Sequence, residues 1–113
     1  MVHRSTASLN EVFGALADPT RRAILEHLGR DSARVTDLAR MFPVSLNAVS
    51  KHLIVLERAG LVRREVRGRD HICNLDGRPL RDATGWIEEV RAFWETRLDA
   101  LERHIAEKRK KLQ

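Results

Sequence analysis

Asn47, Ser50 and Lys51 bring an amide, a hydroxyl and a cation together at i, i+3 and i+4, the spacing that puts side chains on one helix face. An amide can pair with a base edge, and a hydroxyl or an ammonium can hold a phosphate oxygen. The chemistry on offer is therefore reversible recognition of duplex nucleic acid, although the same three residues would also make an ordinary solvated face. Other constellations offer less. Ser50 and His52 lie too close on one helix to align as nucleophile and base, and neither a glycine-rich phosphate loop nor a pair of carboxylates beside a pocket stands out. These features argue against an enzyme. His71 and Cys73, two apart on an expected strand, place an imidazole and a thiol on one side. Two ligands fall short of a metal site, and a small buried thiol is the simpler role for Cys73, with redox or metal sensing as the alternative. His52 is expected to pack or bond locally.

The elements that would carry the first trio can be read from the pattern. Ser45 is a good N-cap, Val49, Leu53 and Leu56 form an apolar stripe, and Gly60 suits the left-handed turn that ends a helix. Upstream, Val35, Leu38, Ala39 and Phe42 recur at helical spacing with Thr36 as a candidate cap, and Pro43 blocks continuation into the next helix. Two short helices so joined predict a helix-turn-helix, with the second helix entering a major groove. Leu46 and Ile54 interrupt the polar edge; Leu46 suits a thymine methyl, while Ile54 faces either the groove or the domain.

Residues 61–67 and 70–75 predict two strands joined at Gly68, with Arg63, Arg64, Arg67 and Arg69 gathered beside Glu65 and Asp70. As a wing, this hairpin would aim Arg67 and Arg69 at a phosphate track or a narrow minor groove; the alternative is an edge hairpin guarded by charge. The expected DNA contacts are thus Ser45, Leu46, Asn47, Ser50, Lys51, Arg67 and Arg69.

A first helix is expected over residues 9–17, with Leu9, Val12, Phe13 and Leu16 on one side. Asp18 then caps a second helix that opens with Pro19 and ends at Gly29. After a loop marked by Gly77 and Pro79, a long helix follows over residues 80–112. Its Trp86, Val90, Phe93, Trp94, Leu98, Leu101 and Ile105 make a heavy apolar face. One small domain offers little surface to cover it, so pairing with the first and last helices of a second chain is expected; packing within its own domain is the alternative. Lys108, Arg109, Lys110 and Lys111 suit the negative end of that helix.

The 113 residues, 42% hydrophobic and 33% charged, predict one mostly α domain with a small β-hairpin: an arm over 1–8, a winged helix-turn-helix over 9–79 and a dimerisation helix over 80–113. The net charge of +5 favours a polyanion, with nucleic acid and an anionic membrane surface as the competing partners. No apolar run approaches a bilayer span and the first eight residues lack the apolar core of a secretory signal, so a cytoplasmic location is expected. The lone Cys73 forms no internal disulfide, as suits a reducing compartment.

In the run from Phe13 to Leu25 (FGALADPTRRAIL), in Val49-Ser50-Lys51-His52-Leu53 with Ala59-Gly60-Leu61-Val62, and in Arg67-Gly68-Arg69, the chain resembles the ArsR family of winged-helix repressors. The segment from Arg91 to Glu102 is similar to the terminal helix of a branch without obvious metal ligands. The resemblance implies a homodimer that binds an inverted-repeat operator, usually in its own promoter, and releases it on an unidentified inducing signal. Family metal sites are not preserved. The stretch from Ala33 to Ala39 has no cysteine, and His104 with Glu107 keeps only half of a terminal-helix site whose other half falls on Arg91 and Phe93. No metal or other cofactor is therefore expected. A metal- or redox-responsive repressor using His104 and Glu107 or Cys73, and a winged-helix module for protein interaction alone, are the alternatives.

Overall fold

The computed structural model describes residues 6–112, in the order α1 (Thr6–Leu16), α2 (Pro19–Leu28), β1 (Ala33–Arg34), α3 (Val35–Met41), α4 (Leu46–Arg58), β2 (Val62–Arg67), β3 (Asp70–Leu75) and α5 (Arg78–Leu112). Two compact units result, one running through Ala83 and the other from Thr84 onward.

Within the first unit, each helix presents an apolar stripe to one core. Val12 and Ala15 come from α1, Ile24, Leu25 and Leu28 from α2, Leu38 from α3, and Val49, Leu53 and Leu56 from α4. The three α4 side chains are 0% exposed. Burial on that scale contributes about 1.5–3 kcal/mol per side chain, enough to fix the rotation of α4 about its axis. Local signals set the helix ends. The Asp18 carboxylate caps α2 by accepting the Arg21 N–H at 3.0 Å, and Pro19 takes the first helical position. Gly60, at φ +75°, lets the Gly60 and Leu61 N–H groups turn back onto the Glu57 and Leu56 carbonyls and so closes α4. Gly68 alone has positive φ in the two-residue turn between β2 and β3, the signature of a type II′ hairpin.

Several expectations are corrected. The predicted hairpin is part of a three-stranded antiparallel sheet of order β1-β3-β2, in which Ala33 and Arg34 pair with Cys73 and Ile72. Two residues carry no readable alternation, so β1 left no pattern to find. Because β1 runs directly into α3, Arg34 occupies the cap position without a side-chain cap bond, and Thr36, the expected cap, lies inside the helix. Helix α1 starts at Thr6, within the segment expected to be an arm; the first five residues of that segment lie outside the described residues. Helix α5 starts at Arg78 and includes Pro79 in its first turn, where a missing N–H costs nothing. Val12, expected at an interface between chains, is buried in the core of its own unit, while Leu9, Phe13 and Leu16 pack half-buried against that core.

Ahead of α5, the buried Asp76 carboxylate holds the Arg78 side chain at 2.7 Å and its backbone N–H at 3.1 Å. Those bonds, assisted by Arg63 at 3.6 Å, keep this carboxyl far below the usual carboxylate range.

The second unit is the remainder of α5. Phe93, Trp94, Leu98, Leu101 and Ile105 are all exposed along it, and Val90 is half-buried. Phe93 meets Trp94 edge-on at 6.0 Å, and the Arg97 guanidinium stacks 4.5 Å from the Phe93 ring centre. Arg91 pairs with Glu88 at 2.6 Å and Glu95 at 3.2 Å. Among the described residues, no helix is long and apolar enough to cross a membrane.

Candidate nucleic-acid interface

Helices α3 and α4 are joined by four residues, with the Val44 N–H turning onto the Phe42 carbonyl at 2.8 Å. This is the helix-turn-helix predicted from sequence. Burial of Val49, Leu53 and Leu56 turns the opposite side of α4 outward, and Asn47, Lys51, Ile54 and Arg58 follow one another along it at i, i+4, i+7 and i+11. Ile54 is 44% exposed, so it belongs to the outward edge rather than to the domain. Arg58 continues that edge beyond the residues expected to bind DNA. Leu46 is exposed and Ser50 half-buried on the flank. Ser45 has a structural task, for its hydroxyl accepts the Ala48 N–H at 3.1 Å and caps α4.

An interaction that the sequence reading missed ties α4 in place. The Arg21 guanidinium donates to the Ala15 carbonyl at 2.8 Å and the Gly14 carbonyl at 3.1 Å, and it lies 3.2 Å from His52 Nδ1. The Asp18 carboxylate stands 3.9 Å from the same ring nitrogen. Its carboxyl is held below the usual range chiefly by the Arg21 backbone N–H, against an opposing effect of burial and with help from the charges of His52 and Arg21. His52 therefore links the recognition helix to the α1–α2 corner, a partnership across 31 residues with no local signature in the sequence.

The four wing arginines separate into different roles. Arg64 points inward beside Cys73 and is held by Glu57 of α4 at 2.6 Å, which fastens the wing to the recognition helix. Arg63 approaches Asp76, and Arg67 pairs with Glu65 at 3.1 Å. Arg69, just past the turn glycine, has no ion pair among the described residues and is exposed. Of the two arginines expected to contact DNA, Arg69 is thus the unencumbered one. Exchange of a surface pair such as Arg67–Glu65 for a phosphate costs little.

His71 and Cys73 do not share a surface. Cys73 is 0% exposed on the central strand, where burial pushes its thiol up, while His71 is exposed. His104 and Glu107 are exposed one turn apart on α5, and no group of three or more His, Cys, Asp or Glu gathers among the described residues.

Residues 16–65 match the model of a helix-turn-helix domain family. The transcriptional repressor SdpR of Bacillus subtilis is 33% identical over 79 residues, which cover 70% of this chain and 88% of SdpR. This chain belongs to the ArsR family of winged helix-turn-helix transcriptional regulators. The crystal structure of another ArsR-family transcriptional regulator is 37% identical, with a TM-score of 0.77, over 83% of this chain and 97% of that one. A possible ArsR-family regulator from Mycobacterium bovis, whose winged helix-turn-helix DNA-binding domain is homodimeric in solution, shares the fold. It has a TM-score of 0.61 at 23% identity over 87% of this chain and 94% of its own. The matched segment contains the whole outward edge of α4, and DNA-binding transcription regulation is the activity of the family.

Proposed function

We propose that this ArsR-family chain is a homodimeric repressor that binds an inverted-repeat operator, and that it controls its own promoter. The observation that carries the DNA-facing half of this reading is the outward edge of α4: Asn47 and Lys51 stand exposed on a helix whose rotation the buried Val49, Leu53 and Leu56 fix. Asn47 reads a base edge, with Leu46 and Ile54 as apolar contacts to thymine methyls; Ser50 and Lys51 hold phosphate oxygens, and Arg69, with Arg67, grips the backbone or minor groove. Ser45 contributes by fixing the N-terminal turn of α4. The homodimer is supported by the exposed stripe of Phe93, Trp94, Leu98, Leu101 and Ile105, continued by Trp86 and Val90. Large aromatic and aliphatic residues gathered on one face are what an interface buries. Leu9, Phe13 and Leu16 of α1 complete the proposed interface with the surface they leave outside the core.

The test is fluorescence anisotropy on the DNA upstream of the coding region against a scrambled duplex. Preferential binding with a stoichiometry of two chains per site supports an autoregulatory dimer. Equal, weak binding to both duplexes moves the basic residues to a protein partner or the operator to another locus.

A further inference from the structure

A groove of about 470 Å³ runs between α1 and α4, lined by Glu11, Gly14 and Ala15 of the first helix and by Val55 and Arg58 of the second. We propose that this groove binds a small zwitterion, a peptide of two apolar residues, and that the bound peptide lowers the affinity of the chain for DNA. The second half of the proposal rests on the repressor reading above, to which it adds a site and a chemical class for the inducing signal.

Gly14 lies inside α1, and positive φ among the described residues is confined to Gly60 and Gly68. A Cβ added at Gly14 would meet nothing within 4 Å. Alanine there would favour the helix, so neither backbone conformation nor packing calls for glycine. What the missing side chain leaves is room in the groove. The charges beside it are also unused. Glu11 and Arg58 are exposed, one from each helix, and neither has an ion pair or side-chain hydrogen bond among the described residues. Glu57, next to Arg58, is by contrast held by Arg64 at 2.6 Å. Between the two charges the surface is apolar, with Ala15 buried and Val55 half-buried. A carboxylate suits Arg58, an ammonium suits Glu11, and apolar side chains cover Ala15 and Val55. Because Glu11 and Arg58 do not meet, a ligand that engages both holds its charges apart. A dipeptide does so, whereas a single α-amino acid carries both charges on one carbon.

The position of the groove ties its occupant to DNA. Helical spacing puts Leu9, Phe13 and Leu16 on the other flank of α1, so the proposed dimer leaves this one open. Arg58 ends the outward edge of α4 that Asn47, Lys51 and Ile54 begin. A guanidinium that holds the peptide carboxylate is withdrawn from the phosphates of a duplex on that edge. Peptide and DNA therefore oppose one another through Arg58, each weakening the other by the same factor.

Isothermal titration calorimetry of the full chain with leucyl-leucine, in the absence of DNA, tests the site itself. Saturable binding of one peptide per chain is expected. Leucine, N-acetyl-leucyl-leucine and leucyl-leucine amide should each bind about 5-fold more weakly, the upper end for one ion pair open to solvent. Glu11→Gln should bind the free and N-acetylated peptides alike, and Arg58→Gln the free and amidated peptides alike, a change of selectivity that lost helix stability does not produce. Gly14→Leu, whose added side chain enters open space, should keep its far-UV circular dichroism and lose the peptide. Absence of saturable heat, undiminished binding by Gly14→Leu, or unaltered selectivity in Glu11→Gln and Arg58→Gln overturns the site. Fluorescence anisotropy on a labelled duplex then reads the second half. Saturating leucyl-leucine should weaken DNA binding and reduce the slope of log K against log salt by about 0.9 per chain, with no effect on Gly14→Leu. Peptide binding that leaves DNA affinity unchanged overturns the inducing role, whereas a chain that takes up the peptide and binds no DNA fails the repressor reading beneath it.

Discussion

Helices α4 and α5 are both amphipathic, yet their apolar faces meet different fates. In α4, Val49, Leu53 and Leu56 are completely buried in their own unit, and the polar edge faces out. In the part of α5 beyond Ala83, Phe93 is 53% exposed and Trp94 is 56% exposed, although these side chains are larger than any apolar one on α4. The polar side of α5 is meanwhile tied up by Arg91 with Glu88 and Glu95. Hydrophobic periodicity shows that a helix has a face to bury, but not whether the surface covering it belongs to the same chain. Under the proposed function, that distinction separates the helix that meets DNA from the helix that meets another copy.

The comparison breaks most readily at α4. Leu53→Ala should cost about 2–5 kcal/mol of unfolding free energy, because a fully buried leucine leaves a cavity among packed neighbours. Urea unfolding would show a loss that persists at every protein concentration, since the cover comes from the same chain. A loss that vanished at high concentration would place α4's core in the assembly instead.

On α5 the expectation reverses. Phe93→Asp should leave the first unit folded, as read by far-UV circular dichroism, while halving the mass in sedimentation. Operator affinity should fall by at least about 100-fold, because two half-sites must be gripped by two linked recognition helices. A dimer that survives Phe93→Asp would show that the exposed stripe is covered by something other than a second copy.

Most of the scaffold behind these outcomes was legible in the residues. The Ser45 cap, the Val49–Leu53–Leu56 stripe and the Gly60 stop each act over a few residues, so the helix-turn-helix and the wing could be placed from local pattern. What stayed hidden depended on long-range partners. Strand β1 is defined only by pairing with β3, and the Arg21–His52 bond joins positions far apart in the chain. Composition grouped four wing arginines together; the fold divided them through Glu57, Asp76 and Glu65, leaving Arg69 unpaired by any ion pair among the described residues. Val12 was misassigned because an α1 stripe facing the core and one facing a second chain have the same period.

Smaller effects sharpen the account of α4's outer edge. Asn47→Ala should relax preference at one base position of each half-site, by about 1–3 kcal/mol of discrimination. Lys51→Ala should weaken binding to every sequence and reduce the salt slope by about 0.9 per chain. Anisotropy titrations on a panel of single-base operator variants at several salt concentrations separate the two. Uniform loss on all sequences for Asn47→Ala would remove that residue from readout.

Ser45→Ala should give the smallest change, about 1 kcal/mol of stability, because the hydroxyl's visible task is to accept the Ala48 N–H. Ser45→Thr keeps that acceptor and should restore most of the loss, and neither variant alters the buried stripe that sets the rotation of α4. If Ser45 only caps, operator affinity in the two variants should follow their stability. If it also donates its hydroxyl proton to a phosphate, alanine should lower affinity for every sequence beyond what its stability loss accounts for and threonine should recover it, with the salt slope unchanged because a neutral donor releases no counterion. The measurement therefore distinguishes a residue that builds the DNA-facing edge from one that belongs to it.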